Sequence, residues 1–187
     1  PEISIGETPA ISLEDFDGRL NAVAPKAARY VLACTFPPPP EVRFPRRSAA
    51  AKFRTFEESL RYEIARFRAA KSGVSIPPRP RGLPAVKGLY PRIEALAGFN
   101  PLEREKKLDE IRNAFLEELA TANPLTREAA ACYRIRLSLI RREATFGDPA
   151  GREVFRNTVD EIEQESLGRP DHSAGTVPDQ KNPTKAE

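Results

Sequence analysis

Apolar residues in the middle of the chain return every three or four positions, the period of a helix buried on one side. Between Ser48 and Ala70 they fall at Phe53, Phe56, Leu60, Ile64 and Phe67, a single stripe with three aromatics. Glu57 and Arg61 stand four apart on its flank, in the order that favours a helical ion pair, and Gly73 ends the helix. A second long helix is predicted from Asn100-Pro101-Leu102-Glu103. There a capping side chain precedes proline at the first helical position and Glu at the third. Its inner face is Leu108, Ile111, Phe115 and Leu119, and it should stop near Asn123-Pro124. Thr126 can cap the next helix, which is apolar on two adjacent faces, Cys132/Ile135/Leu139 and Tyr133/Leu137/Ile140. Such breadth belongs to a helix packed centrally between neighbours. Asp148-Pro149 opens a last helix with Val154, Phe155, Val159 and Ile162 inward, closed by Gly168.

Shorter elements surround these. Ser12 can cap a helix carrying Leu13, Phe16 and Leu20, and Pro25 suits the first position of another that runs to about Ala33. A short helical turn is predicted after Pro91, ending at Gly98. The chain holds 19 prolines against 10 glycines. A helix-interior proline costs about 3 kcal/mol, so these belong at helix starts and in connectors. Pro37-Pro38-Pro39-Pro40 should be an extended polyproline stretch, and Ile76 to Pro84 a semi-rigid connector. Pro77 to Pro80 has the PxxP spacing of ligands for aromatic grooves, which a linker of this composition also produces without any such partner. Only Ile3 to Ile5 would suit an edge strand, and the chain opens at Pro1-Glu2 without Met, as if the native N-terminus were missing. The expected architecture is all-α: an irregular bundle of about five to seven helices over residues 1–168, with a polar, disordered tail at 169–187. A chain of 187 residues can bury a real core without disulfides or metals.

Candidate chemistry is sparse. Cys34 and Cys132 are far apart, in apolar helical surroundings, and read as small buried hydrophobes suited to a reducing compartment. The single histidine, His172, falls in the predicted tail, where it cannot orient a nucleophile or complete a zinc site. There is no phosphate-cradling glycine loop. The acidic pairs Glu57-Glu58, Glu117-Glu118 and Asp160-Glu161 are sequence neighbours, so they point apart on a helix and read as solvated faces. No stretch approaches the ~18 apolar residues of a membrane span. The expectation is a protein with no catalytic residue, metal or cofactor, acting by binding macromolecules.

Charge is unevenly placed. Residues 41–92 hold 13 Lys or Arg against 4 Asp or Glu, nine positive in excess, while the remainder holds 17 against 23, six negative in excess; the formal total is +3. The candidate partner-binding residues are Arg46, Arg47, Arg54, Arg61, Arg66, Arg68 and Lys71. Phenylalanines are interleaved with them, a pattern that nucleic-acid binding exploits through phosphates and stacking. Here they keep core spacing, so an acidic protein surface, a nucleic acid and a merely solvated face all remain open.

Three segments resemble a known family. Phe53-Arg54-Thr55-Phe56-Glu57-Glu58-Ser59-Leu60-Arg61-Tyr62-Glu63-Ile64-Ala65-Arg66 is similar to its aromatic-Glu helix leading into a Leu-Arg pair, with Phe56 where Trp is frequent. Asn100 to Glu103 with Leu108-Asp109-Glu110-Ile111-Arg112 resembles its second helix. Ala131-Cys132-Tyr133-Arg134-Ile135-Arg136-Leu137, on to Phe146, Gly151, Arg152, Glu153 and Phe155, resembles its closing pair. The proline-rich insert between Ile76 and Pro84 has no clear counterpart. The family is a bacterial group encoded beside V-type ATPase genes, similar to the rotor subunit called C in bacteria and archaea, or d in eukaryotes. The resemblance implies a non-catalytic structural or coupling subunit linking the membrane rotor ring to the central stalk. Its partners would be other V-type ATPase subunits. It would be cytoplasmic, peripheral at the inner membrane face and in contact with the membrane only indirectly. The alternative from a different class is a basic helical nucleic-acid-binding module.

Overall fold

Every described helix start is set by a local cap or by proline or glycine, and the caps account for most of the element boundaries. In a computed structural model, residues 8–121 and 125–145 are described. The Ser12 side chain accepts from the Asp15 N–H and starts α1, Leu13–Val23; Pro25 is the first residue of α2, Pro25–Leu32. The Ser48 hydroxyl accepts from Ala51 N–H at the start of α3, Ala49–Lys71. At its end Val74 N–H bonds Ala69 O and Gly73 N–H bonds Ala70 O, a Schellman closure that needs the φ of +65° at Gly73. The next helix, α4, spans Leu89–Glu94 and passes into a 3-10 turn, Ala95–Gly98. It begins two residues before Pro91, because Gly88 at φ +74° redirects the chain into it.

Asn100 Oδ1 accepts from Glu103 N–H at 2.9 Å and Glu103 Oε2 from Asn100 N–H at 3.4 Å, the reciprocal cap expected for α5, Pro101–Thr121. Thr126 caps α6, Arg127–Thr145. Among the described residues the protein is thus an all-α bundle of six helices with no strand. The expected edge at Ile3–Ile5, the helix after Asp148, the tail, His172 and the pair Asp160-Glu161 lie outside the described residues.

Helix α6 is central, packing on α1, α2, α3 and α5. Residues Ala129 to Ile140 are buried, with Ala130 and Tyr133 partly so. The two apolar faces read from the sequence therefore serve different neighbours. Ile135 and Leu139 join the main core with Phe53, Phe56, Leu60, Ile111 and Leu116, while Leu137 and Ile140 pack against Ile11, Leu13 and Phe16. Side-chain pairs define direction: Arg136 with Asn113, and Arg142 with Glu105, run α6 antiparallel to α5. Phe56 stacks on Phe115 with centroids 4.1 Å apart, bringing α3 onto α5.

The connectors are more ordered by tertiary contact than their composition suggests. The Pro37–Pro40 run is not helical, but it is bent rather than uniformly extended, with a cis Phe36–Pro37 bond and a turn at Pro40-Glu41. The bend tucks Phe36 against Phe53. The Ile76–Pro84 segment doubles back along α3, where Tyr62 Oη donates to Pro77 O and Ser59 Oγ to Pro84 O.

Both cysteines are free and buried, as expected of core residues. Burial pushes the Cys34 thiol up from 9.0 to about 12 and the Cys132 thiol from 9.0 to about 11. A raised thiol pKa means the fold favours the protonated form. That contribution is complete below the ordinary thiol value and is lost as pH climbs towards the folded-state values. Denaturant midpoints should therefore fall between pH 9.0 and about 11, and a thiol reagent at neutral pH should modify Cys34 and Cys132 only on unfolding. A midpoint that rises over this range, or prompt labelling of the native protein, would contradict this account.

Candidate functional site

Two charged features emerge, one inside the bundle and one on its surface. Inside, Glu57 of α3 and Arg112 of α5 are both buried, and Arg112 Nε donates to Glu57 Oε1 at 2.7 Å. Arg112 Nη1 also donates to Asp109 Oδ1 at 2.7 Å, and Asp109 accepts from Arg142 Nη1 of α6 at 2.9 Å through each oxygen. Arg142 Nη2 reaches Glu105 at 2.8 Å. The guanidinium carbons of Arg112 and Arg142 stand 4.9 and 5.4 Å from the Phe36 ring centroid. Five charges thus run without interruption from α3 through α5 to α6.

Burial pushes the Asp109 carboxyl above its ordinary range, against the pull of Arg112 and Arg142. For Arg112 burial acts against the charged form, but Glu57 and Asp109 outweigh it and raise the pKa. Glu57 Oε2 is buried without a hydrogen-bond partner among the described residues. The acidic pair Glu57-Glu58 therefore splits. Glu58 is exposed as expected, but Glu57 is an interior anion, and its partner is Arg112 rather than Arg61. The signal lay in the register. Residues 53, 56, 57, 60, 63 and 64 share one helical stripe, as do 105, 109, 112 and 116, so acids and an arginine occupy core positions.

Other buried arginines were also missed. Arg134 holds both oxygens of Asp17 at 2.8 Å and donates to Cys34 O, clamping α1 and the end of α2 to α6. Arg136 donates to Asn113 Oδ1 at 2.7 Å. Glu128 accepts from Tyr30 Oη at 2.6 Å and from Ala49 N–H at 2.7 Å, which places its charge on the α3 N-terminus.

At the surface, the seven sequence-derived cations divide. Arg54 is half-buried and donates to Pro39 O and Val42 O, each at 2.6 Å, holding the proline loop against α3. Arg66 is half-buried between Glu63 and the Tyr90 ring. Arg46 and Arg47 are exposed in the turn before Ser48, and Arg61, Arg68 and Lys71 are exposed along α3. Of the four acids within residues 41–92, Glu57 pairs with Arg112 and Glu63 pairs with Arg66 and Arg79, both inside the fold. Only Glu41 and Glu58 face solvent. Opposite them stand ten exposed cations: Arg43, Arg46, Arg47, Lys52, Arg61, Arg68, Lys71, Arg81, Lys87 and Arg92. Folding therefore sharpens the charge imbalance of this segment.

Neither of two surface grooves is lined by Glu57, Asp109 or Arg112. One, of about 610 Å³, lies among Ile11, Phe16, Ala129 and Tyr133 with Glu117 and Arg136 beside it. The other, of about 600 Å³, lies beside the outer side of α3. Among the described residues no group of three or more His, Cys, Asp or Glu could hold a metal ion, and no helix is long and apolar enough to cross a membrane.

Removing one partner of a buried ion pair leaves an uncompensated charge, a loss of about 3–5 kcal/mol. Arg112→Met should therefore destabilise by about that amount, and adding Glu57→Leu should recover part of it, giving a coupling of about 0.5–3 kcal/mol in a urea double-mutant cycle. Strict additivity would show that the pair does not act as a unit. Arg54→Ala should cost about 1.5–3 kcal/mol through its two lost carbonyl contacts, whereas Arg61→Ala should stay within about 0.5 kcal/mol. Equal losses in urea unfolding would contradict the division of the basic set.

Residues 90–166 match a family model described as a protein of unknown function, DUF2764. The described part of that match runs from Tyr90 in α4 through α5 and α6, and so holds Asp109, Arg112, Arg134 and Arg142 but not α3. No curated protein matches the chain. No solved structure matches it either.

Proposed function

We propose that this chain is a non-catalytic coupling or assembly subunit of a V-type rotary ATPase, held at the cytoplasmic face of the membrane between the rotor ring and the central stalk. The reading starts from the three segments that resemble the family encoded beside such ATPases. One observation carries it further. The helices holding those segments, α3, α5 and α6, are cross-linked by the buried charges Glu57, Arg112 and Asp109 and by the half-buried Arg142. A subunit that transmits torque must resist sliding of helices past one another. Directional interior ion pairs oppose such sliding more than an apolar seam does, because each displaced guanidinium would leave a charge unpaired.

The test is affinity purification of the tagged full chain from its native host. Rotor-ring and central-stalk ATPase subunits should co-elute in fixed proportion. Purification free of every ATPase subunit, from a host that expresses the complex, overturns the assignment.

The excess of exposed cations favours a second reading, a basic nucleic-acid-binding module. It predicts affinity for duplex DNA that falls steeply with salt as phosphate counterions are displaced. Absent or salt-insensitive binding disposes of it.

A further inference from the structure

We propose that the groove between α3 and the Pro80–Leu83 turn is the docking site for an acidic segment of a partner protein, whose carboxylates are held by Arg61 and Arg81. The groove, about 600 Å³, is lined by Thr55, Glu58, Arg61 and Tyr62 from α3 and by Arg81 and Leu83 from the turn. The inference rests on reading the chain as a protein-binding subunit, but not on which assembly it joins.

The turn is built rather than loose. Leu83 N–H donates to Pro80 O at 3.1 Å, and Gly82 at φ +81° supplies the conformation that L side chains rarely adopt. On either side it is tied to α3. Arg79 pairs with buried Glu63, lies 4.4 Å from the Tyr62 ring centroid and donates to Pro84 O, which also accepts from the buried Ser59 hydroxyl. Arg81 is therefore presented from a tethered turn beside Arg61 on a rigid helix. Both are exposed, and neither has an ion pair among the described residues. Ordering was completed during folding, so binding need not repeat it.

Charge complementarity selects an anion, and two further observations select a protein. The aromatics of this segment are largely taken up by contacts within the chain. Phe53 and Phe56 are buried, Phe67 packs on the core, and Arg54, Arg79 and Arg66 each lie over one face of the Phe44, Tyr62 and Tyr90 rings. Single-stranded nucleic acids rely on such faces. Glu58 also lies in the groove itself. A continuous polyphosphate or an anionic lipid surface would meet that carboxylate. A peptide can set a neutral or cationic residue opposite it and place acids on either side.

The experiment measures binding of a fluorescein-labelled oligoglutamate peptide to the full chain by anisotropy at low salt. Arg61→Gln/Arg81→Gln should weaken binding about tenfold, the loss of two exposed charge-assisted contacts. Arg46→Gln/Arg47→Gln removes the same charge elsewhere and should leave the affinity within about twofold. Oligodeoxythymidine and phosphatidylglycerol vesicles serve as competing probes. Equal losses in the two double variants, tighter binding of either competing probe, or no peptide binding would each overturn the proposal. Peptide binding at Arg61 and Arg81 without ATPase co-purification would remove the assembly assignment alone.

Discussion

Arg112 is a cation buried within the bundle, and the geometry of the helices is organised by the need to keep it paired. Its guanidinium spans Glu57 on α3 and Asp109 on its own helix, and Asp109 passes the constraint to Arg142 on α6. Apolar surfaces are tolerant of small rotations, because burial energy depends on area and hardly on direction. A buried ion pair is not tolerant. Rotating α3 about its axis or sliding α5 along α6 would strand a charge in a region of low polarity. The pairing therefore sets registry, while the apolar core that includes Phe53, Phe56, Leu60, Leu116 and Ile135 supplies non-directional burial.

The same pairing shapes the exterior. An acid withdrawn into the core no longer neutralises the surface near it, so the burial of Glu57 and Glu63 leaves their segment with its exposed arginines and lysines largely unopposed. Helix α3 thus serves two purposes from one sequence. Its inner stripe locks the bundle, and its outer side, with the tethered Pro80–Leu83 turn, presents positive charge on a stiff support. Arg79 joins the two, since its ion pair with Glu63 both satisfies an interior acid and anchors the turn. Core and surface are electrostatically linked through a few shared groups.

Much of the framework was legible because it is local. Ser12, Asn100 and Thr126 cap helices through bonds to residues three positions away, and Pro25 and Pro101 suit first turns wherever they stand. The central place of α6 was legible from the width of its apolar surface. Other features depended on residues far apart in the chain. Glu57 could have paired with Arg61 by helix spacing, and the opposed Arg112, fifty-five positions away, decided otherwise. Arg54 and Arg66 look like their neighbours Arg61 and Arg68 in any count of charges. What separates them is a returning loop and a facing Tyr90 ring. The bent course of the proline run reflects the place that Phe53 makes for Phe36.

Capping chemistry and the three-to-four-residue recurrence of apolar side chains by themselves determined that the described residues are helical, where most of those helices begin, and which stripe of α3, α5 and α6 turns inward. They act over one or two turns of backbone, so no distant segment is needed to read them. Which ionic groups lie inside, and therefore which arginines remain outside to meet a partner, was decided only when α3, α5 and α6 came together. Charge pairing acts through space, and the energy of a buried carboxylate depends on the guanidinium facing it, whatever the distance between them along the chain.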